Sequence, residues 1–243
     1  MVVDHIERVQ APRRTHRKIA PAELVASRGG RYARALGIDL AAPDPGERFK
    51  WFLAALLYGT RISESLATRT WHEFEAHGVL NPQRIAQTGW DGLVRILDAG
   101  GYTRYDYKTA TKLLAICATL VDDYAGNLDA LHKAAADPPD LEIRLKALGK
   151  GIGNVTVGIF LRELRGVWPL AEPPLSPLAL AAAIDLGYLL PDIKDTERAL
   201  LRLRQIWHTS GQPAVAFADF ESALVREGLR LRRLAAHRSG EPC

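Results

Sequence analysis

The sequence has few cysteines and no long apolar run, and each shortage excludes a class of protein. Only Cys117 and Cys243 are present among 243 residues, too few for a disulfide framework, an all-thiolate zinc site or a cluster that needs four thiolates. Apolar stretches such as residues 51–58 and 178–184 fall far short of the roughly 20 residues that a membrane helix needs. No apolar segment follows the first methionine, so we expect no secretory signal and no membrane partner.

Charge is distributed unevenly along the chain. The formal net charge is +4, but residues 1–34 carry +5, residues 226–243 carry +3, and the stretch between them carries −4. Arginine supplies 24 of the 32 basic residues and favours bidentate contacts with phosphate and carboxylate, although a GC-rich genome produces the same excess. We expect residues 1–34 to form a basic arm. Because the excess of basic residues lies at the two ends of the chain, the net charge is weak evidence for a nucleic-acid partner.

The spacing of apolar residues predicts an all-α fold. These residues recur at intervals of three and four along most of the chain, and period-2 alternation is nearly absent. Asp44, Ser63 and Ser176 are typical N-caps in front of such segments. The predicted helices span about 21–36, 46–58, 64–76, 82–88, 91–98, 105–124, 128–134, 140–148, 155–165, 177–186, 195–209 and 219–236.

The most specific stretch is Leu145–Leu161, which predicts two helices joined by a glycine-rich turn. Gly151 and Gly153 allow a tight turn with a positive φ, and Ile152 between them can fill the angle between the helices. The free N–H groups of the turn and of the second helix form, with the helix dipole, an anion site suited to phosphate. The polar residues that favour this site over a simple glycine-capped hairpin are Lys150, Asn154 and Thr156.

Three stretches in the same order resemble the helix-hairpin-helix DNA glycosylases, the endonuclease III-like proteins of base-excision repair. Residues 56–66 resemble the family's early core helix and the loop that enters the DNA, residues 101–108 its G-x-Y-x-x-K-A segment, and residues 151–157 its hairpin G-V-G-x-[KS]-T-A. The resemblance implies a two-lobed helical bundle over residues 35–243. In such a bundle the hairpin 141–165 holds double-stranded DNA, and the terminal helices 195–236 pack with the N-terminal ones.

The resemblance also implies a chemistry. Such proteins flip a nucleotide out of the duplex and cut its N-glycosidic bond through an oxocarbenium-like state, which a carboxylate stabilises. The family's aspartate position falls on Ser176, which can cap a helix but carries no charge, so Glu172 is the candidate replacement. Val155 stands where bifunctional members carry a lysine, and we therefore expect no Schiff-base lyase activity. The residues expected to enter the duplex or line the base pocket are Tyr58, Thr60 and Arg61.

Three functions remain open from the sequence: a monofunctional glycosylase with atypical catalytic groups, a non-catalytic DNA-binding relative, and a helical protein-interaction module.

Three tyrosines at 102, 105 and 107 around Arg104 either stack on bases or pack a helix start. No histidine spacing indicates a metal site, and no cofactor is expected. The expected protein is a cytoplasmic monomer, associated with the nucleoid if it is prokaryotic.

Overall fold

The computed structural model describes residues 19–239, and these residues fold into α-helices joined by short loops, with no strand among them. The all-α prediction is confirmed. The helices are α1 (Pro21–Arg28), α2 (Tyr32–Ala35), α3 (Pro45–Tyr58), α4 (Glu64–Ala76), α5 (Pro82–Ala99), α6 (Asp106–Tyr124), α7 (Leu128–Ala134), α8 (Pro138–Ala147), α9 (Asn154–Glu163), α10 (Pro177–Asp185), α11 (Thr196–Thr209) and α12 (Phe217–Ser239). The two helices predicted over 82–98 are joined into α5 across a kink at Gly89, where φ is 66° and ψ is 176°.

Side-chain caps explain why most of these helices begin where the sequence indicates. The Ser63 hydroxyl accepts a hydrogen bond from the Leu66 N–H at 3.2 Å, and the Asp44 carboxylate accepts one from the Gly46 N–H at 2.8 Å. Each bond satisfies an N–H group that the helix itself leaves unpaired. The other side-chain caps are Asn81, Asn127, Asp137, Ser176 and Asp195.

Helix α3 lies at the centre of the core and fixes the position of α9. Trp51 and Phe52 are fully buried. The Trp51 indole N–H donates to the Phe160 carbonyl of α9 at 3.1 Å, and the Phe52 and Phe160 rings meet edge to face at 5.1 Å. Burying a side chain of this size contributes about 1.5–3 kcal/mol. The second helix of the predicted hairpin is therefore attached to the most buried helix of the molecule.

Buried carboxylates attach the N-terminal helices to the rest of the fold. Glu163 accepts hydrogen bonds from the backbone N–H groups of Tyr32 and Ala33, both at 2.7 Å, and burial raises the pKa of this carboxyl group. On α12, Asp219 accepts from the Arg31 N–H at 3.0 Å. Two acidic side chains thus lie at the start of α2, where their negative charge stabilises the positive end of the helix dipole.

Residues 19–34 therefore differ from the expected basic arm, since they form α1, enter α2 and pack on α12. Leu24 and Tyr32 belong to the hydrophobic core, and Arg28 pairs with Glu227 of α12 at 2.6 Å. Apolar burial and ion pairing together outweigh the polar appearance of this segment. Residues 1–18, the remainder of the expected arm, lie outside the described residues.

Helices α10 and α12 approach each other closely at Gly228. A Cβ atom at this position would overlap the backbone carbonyl of Leu178, so only glycine permits the observed contact. The Gly228 position thus sets the distance between the two helices. None of the described helices combines the length and the hydrophobicity that crossing a membrane requires.

Candidate nucleic-acid interface

The turn between α8 and α9 has an exposed, glycine-lined surface. Gly151 adopts a φ of 92°, a conformation that side chains other than glycine rarely take. Ile152 points inward and is 6% exposed, whereas Lys150, Gly153 and Asn154 are exposed. The turn therefore presents backbone and one lysine outward and buries its apolar side chain.

The N-terminus of α9 is open at this turn. Gly153 is its N-cap residue and provides no side-chain hydrogen bond to the helix, unlike the caps of α3, α4 and α10. A Cβ atom at Gly153 would meet no other atom within 4 Å. The first N–H groups of α9 thus have no side-chain cap, and a negative charge at such a helix end is stabilised by these donors and by the helix dipole.

Thr156 lies on the inner side of α9, away from the exposed turn. Its side chain is 3% exposed and its hydroxyl lies directly against Gly59 at the end of α3. The side-chain contact with DNA expected for this residue does not agree with the burial. Sequence spacing alone does not indicate that the end of α3 covers this side of the helix.

The same contact brings the loop after α3 beside the hairpin. Because Gly59 lies against Thr156, the following residues Thr60 and Arg61 begin next to the first turn of α9. Arg61 is exposed, while the Thr60 hydroxyl donates back to the Leu56 carbonyl at 3.3 Å. The loop that begins at Gly59 and the first turn of α9, which the sequence treats separately, are thus in contact through Thr156.

Tyr58 is a packing residue with a polar end. Its hydroxyl pairs with the Thr68 hydroxyl at 2.7 Å, and its ring lies 5.6 Å from the Tyr32 ring and 6.3 Å from the Trp51 ring. Burial raises the pKa of Tyr58 to about 12. Of the three residues expected to enter the duplex or line the pocket, Tyr58 and Thr60 are partly buried and Arg61 is exposed.

Helix α6 supplies a lysine to the hairpin. The Lys112 ammonium donates to the Gly151 carbonyl at 2.8 Å, and partial burial lowers the pKa of this lysine. One turn further along α6, Ile116 packs beneath Gly149, where an added Cβ would lie 2.6 Å from it. Sequence reasoning missed Lys112, although it lies four residues after Lys108 of the G-x-Y-x-x-K-like segment and hence on the same face of α6.

Glu172 is paired with two arginines. Its carboxylate accepts from Arg165 at 2.8 Å and from Arg204 of α11 at 2.5 Å. Arg165 also holds Glu221 at 2.7 Å and lies just beyond the C-terminal end of α9. Because a helix of this length spans about 15 Å, the Glu172 carboxylate lies near the end of α9 opposite to the hairpin turn.

Ser176 has a structural role in the same loop. Its hydroxyl accepts from the Ala179 N–H at 3.2 Å and caps α10, as the sequence predicts for a helix start. A serine hydroxyl carries no charge at this position. Glu172 is paired with arginines, and Ser176 caps a helix. Neither residue therefore supplies a free carboxylate at the hairpin.

A buried basic cluster lies beside Tyr58, and sequence reasoning did not identify it. The Arg226 guanidinium lies 3.6 Å from the centre of the Tyr32 ring and donates to Glu64 at 2.9 Å. Arg162 is 5% exposed and lies 5.8 Å from the same ring. These residues belong to α2, α4, α9 and α12, so no local sequence motif predicts the cluster.

No protein-family model matches the chain, and no curated protein is significantly similar to it. The interpretation of the interface therefore depends on its geometry. Lys112 of α6 contacts the turn at Gly151, and the end of α3 contacts the first turn of α9 at Thr156.

Proposed function

We propose that the protein binds double-stranded DNA through the turn between α8 and α9. The observation that carries this proposal is the uncapped N-terminus of α9 at Gly153, which faces open space. Lys112 brings positive charge to the turn at Gly151, and the exposed Lys150 is part of the turn itself. The ordered resemblance to the helix-hairpin-helix glycosylases supports the same surface.

Binding of this kind has defined properties. Backbone N–H groups and lysines contact phosphates, which position the protein on the duplex without reading its sequence. Each neutralised phosphate releases counterions, so the logarithm of the binding constant falls with the logarithm of salt concentration by about 0.9 per contact. Arg61 in the adjacent loop supplies a further charge toward the duplex. We therefore expect salt-sensitive and sequence-tolerant binding.

Base excision is the second candidate function, and the buried basic cluster favours it. Within the described part of the chain, the Tyr32 hydroxyl and the Nε atoms of Arg162 and Arg226 are buried without a hydrogen-bond partner. Such donors match the acceptor atoms of an extruded base, which reaches them only when the packing that covers these buried atoms opens. Stabilising an oxocarbenium-like state, however, needs a free carboxylate, and Glu172 is paired with arginines. Excision is therefore expected to be slow, and Val155 leaves no lysine for a lyase step.

Two glycine substitutions test duplex binding. Gly153→Ala adds a methyl group where the phosphate approaches, and this methyl group meets no other part of the protein within 4 Å. Alanine is a poorer N-cap than glycine, so we expect the free energy of unfolding to fall by about 0.5–2 kcal/mol, with the fold retained and at least a tenfold loss of duplex affinity in fluorescence anisotropy. Gly158→Ala, also in open space but within α9, is the matched control and keeps wild-type affinity. Equal affinity of the two variants contradicts the proposed site.

The excision candidate needs a separate experiment. Single-turnover assays on duplexes with damaged, mismatched or alkylated bases, at high protein excess, measure base release directly. Ser176→Asp returns a carboxylate to the family's position and preserves the cap of α10, so it should raise the rate where the pocket is intact. Removing a preorganised electrostatic group commonly costs about 10²–10³ in rate. Absence of base release from both proteins leaves duplex binding as the function.

A further inference from the structure

Two aromatic side chains lie side by side on the open surface of the α5–α6 pair. Trp90 is 40% exposed and Tyr107 is 60% exposed, while the other four tryptophans are buried. The two ring centroids are 5.2 Å apart at an interplanar angle of 36°, and the Trp90 indole N–H donates to the Thr111 hydroxyl at 3.0 Å. The pair is thus held in one geometry although it faces solvent.

This aromatic pair lies on the stripe of α6 next to the one that carries the lysine contacting the hairpin. Tyr107 and Thr111 form one stripe of α6, and Lys108 and Lys112 form the adjacent stripe. Lys112 reaches the Gly151 carbonyl, and Tyr107 lies five residues earlier, about 7.5 Å along the helix axis. Tyr107 is therefore about 1.4 helical turns from the lysine that contacts the hairpin.

The charges around the pair define where a strand can pass. Lys108 follows Tyr107 in the helix and Asp106 precedes it, so the two charges flank the ring from opposite sides. The Asp106 carboxylate accepts from the Tyr107 N–H at 2.7 Å, and its neighbour Asp98 has a raised pKa because burial and Asp106 disfavour its charge. Phosphates are repelled on this acidic side and attracted on the lysine side, which leads to the hairpin.

We propose that Trp90 and Tyr107 form a stacking platform for an unpaired base of a DNA strand that leaves the duplex held by the hairpin. The inference rests on the proposed duplex binding and names the form of DNA that this surface recognises: a duplex continued by a single-stranded segment. Stacking on aromatic rings accepts any base, because every base has a π-face. Lys108 and Lys112 contact the phosphates between the duplex and the platform.

The experiment compares a blunt duplex with the same duplex carrying a short single-stranded extension at either end. The wild-type protein should bind one of the extended duplexes about 5- to 150-fold more tightly, the range for stacking a base on an aromatic side chain. Tyr107→Ala should abolish this gain and leave the affinity for the blunt duplex unchanged. Tyr107→Phe keeps the ring and should keep the gain, which separates stacking from a general loss of structure.

Tryptophan fluorescence gives a second readout on the unmodified protein. Because Trp90 is the exposed tryptophan, the extended duplex should quench its emission more than the blunt duplex does, and Trp90→Phe should remove that difference. No gain from the extension, with the blunt duplex still bound, overturns the inference but not the proposed function. A gain that persists in Tyr107→Ala also overturns it. Absence of any duplex binding overturns the proposed function itself.

Discussion

Replacing Gly59 by alanine should disturb the contact that holds the loop after α3 against the hairpin. An alanine Cβ at this position would overlap the Thr156 hydroxyl, and it would lie 3.1 Å from both the Thr156 Cβ and the Ala55 carbonyl. The Gly59 φ of −73° suits any residue, so the expected effect comes from crowding and not from backbone strain.

The magnitude follows from how firmly both partners are held. Thr156 is buried, and the indole of Trp51 ties α3 to the carbonyl of Phe160 in α9, so neither helix moves freely. Overpacking at such a site costs about 1–3 kcal/mol. We expect this loss in the free energy of unfolding of Gly59→Ala by urea, together with weaker duplex binding because Arg61 shifts away from the turn.

A double-mutant cycle separates this contact from other effects. Thr156→Ala removes the hydroxyl that the new Cβ overlaps, so the Gly59→Ala/Thr156→Ala protein should be more stable than the sum of the single losses, by about 0.5–3 kcal/mol. Additive losses, or a Gly59→Ala protein with unchanged stability, would refute the reasoning that this contact positions the loop.

Two further predictions concern the fold and its response to pH. Gly228→Ala should lower the free energy of urea unfolding by about 1–3 kcal/mol, because its Cβ meets a backbone carbonyl. The control Gly158→Ala, in open space, should raise this free energy by about 0.4–1 kcal/mol. An equal loss of stability in both variants would contradict the close approach of α10 and α12. The pKa of Glu227 is lowered chiefly by its hydrogen bond from Arg230, so this carboxylate stabilises the fold above its ordinary pKa of 4.5 and loses that contribution as the pH falls through the lowered value. The stability advantage of the wild type over Glu227→Gln should shrink on acidification, and a constant difference would argue against the ion pair.

Local signals in the sequence predict most of the helices. N-caps such as Ser63 and Asp44 fix helix starts because their bonds form within a few residues. The glycine pattern likewise predicts the turn at Gly151, since its positive φ is a local requirement. Gly89 likewise interrupts the helical backbone between the two predicted helices, because its φ of 66° and ψ of 176° are non-helical.

The candidate interface depends on contacts that no local pattern encodes. Lys112 reaches a carbonyl 39 residues further along the chain, and Thr156 meets Gly59. Glu172 looks like a free loop carboxylate until the fold brings Arg165 and Arg204 to it. Such pairings follow from helix packing, so the sequence suggests the residue types at the interface but not which of them face outward.

The most direct test of the central claim is an NMR titration of the backbone amides with a blunt duplex. The account predicts that the largest chemical-shift changes fall on the N–H groups of Gly153, Asn154 and Val155, at the open N-terminus of α9, and that added salt reverses them. Duplex binding that leaves these amides unchanged while other surfaces shift would contradict the account.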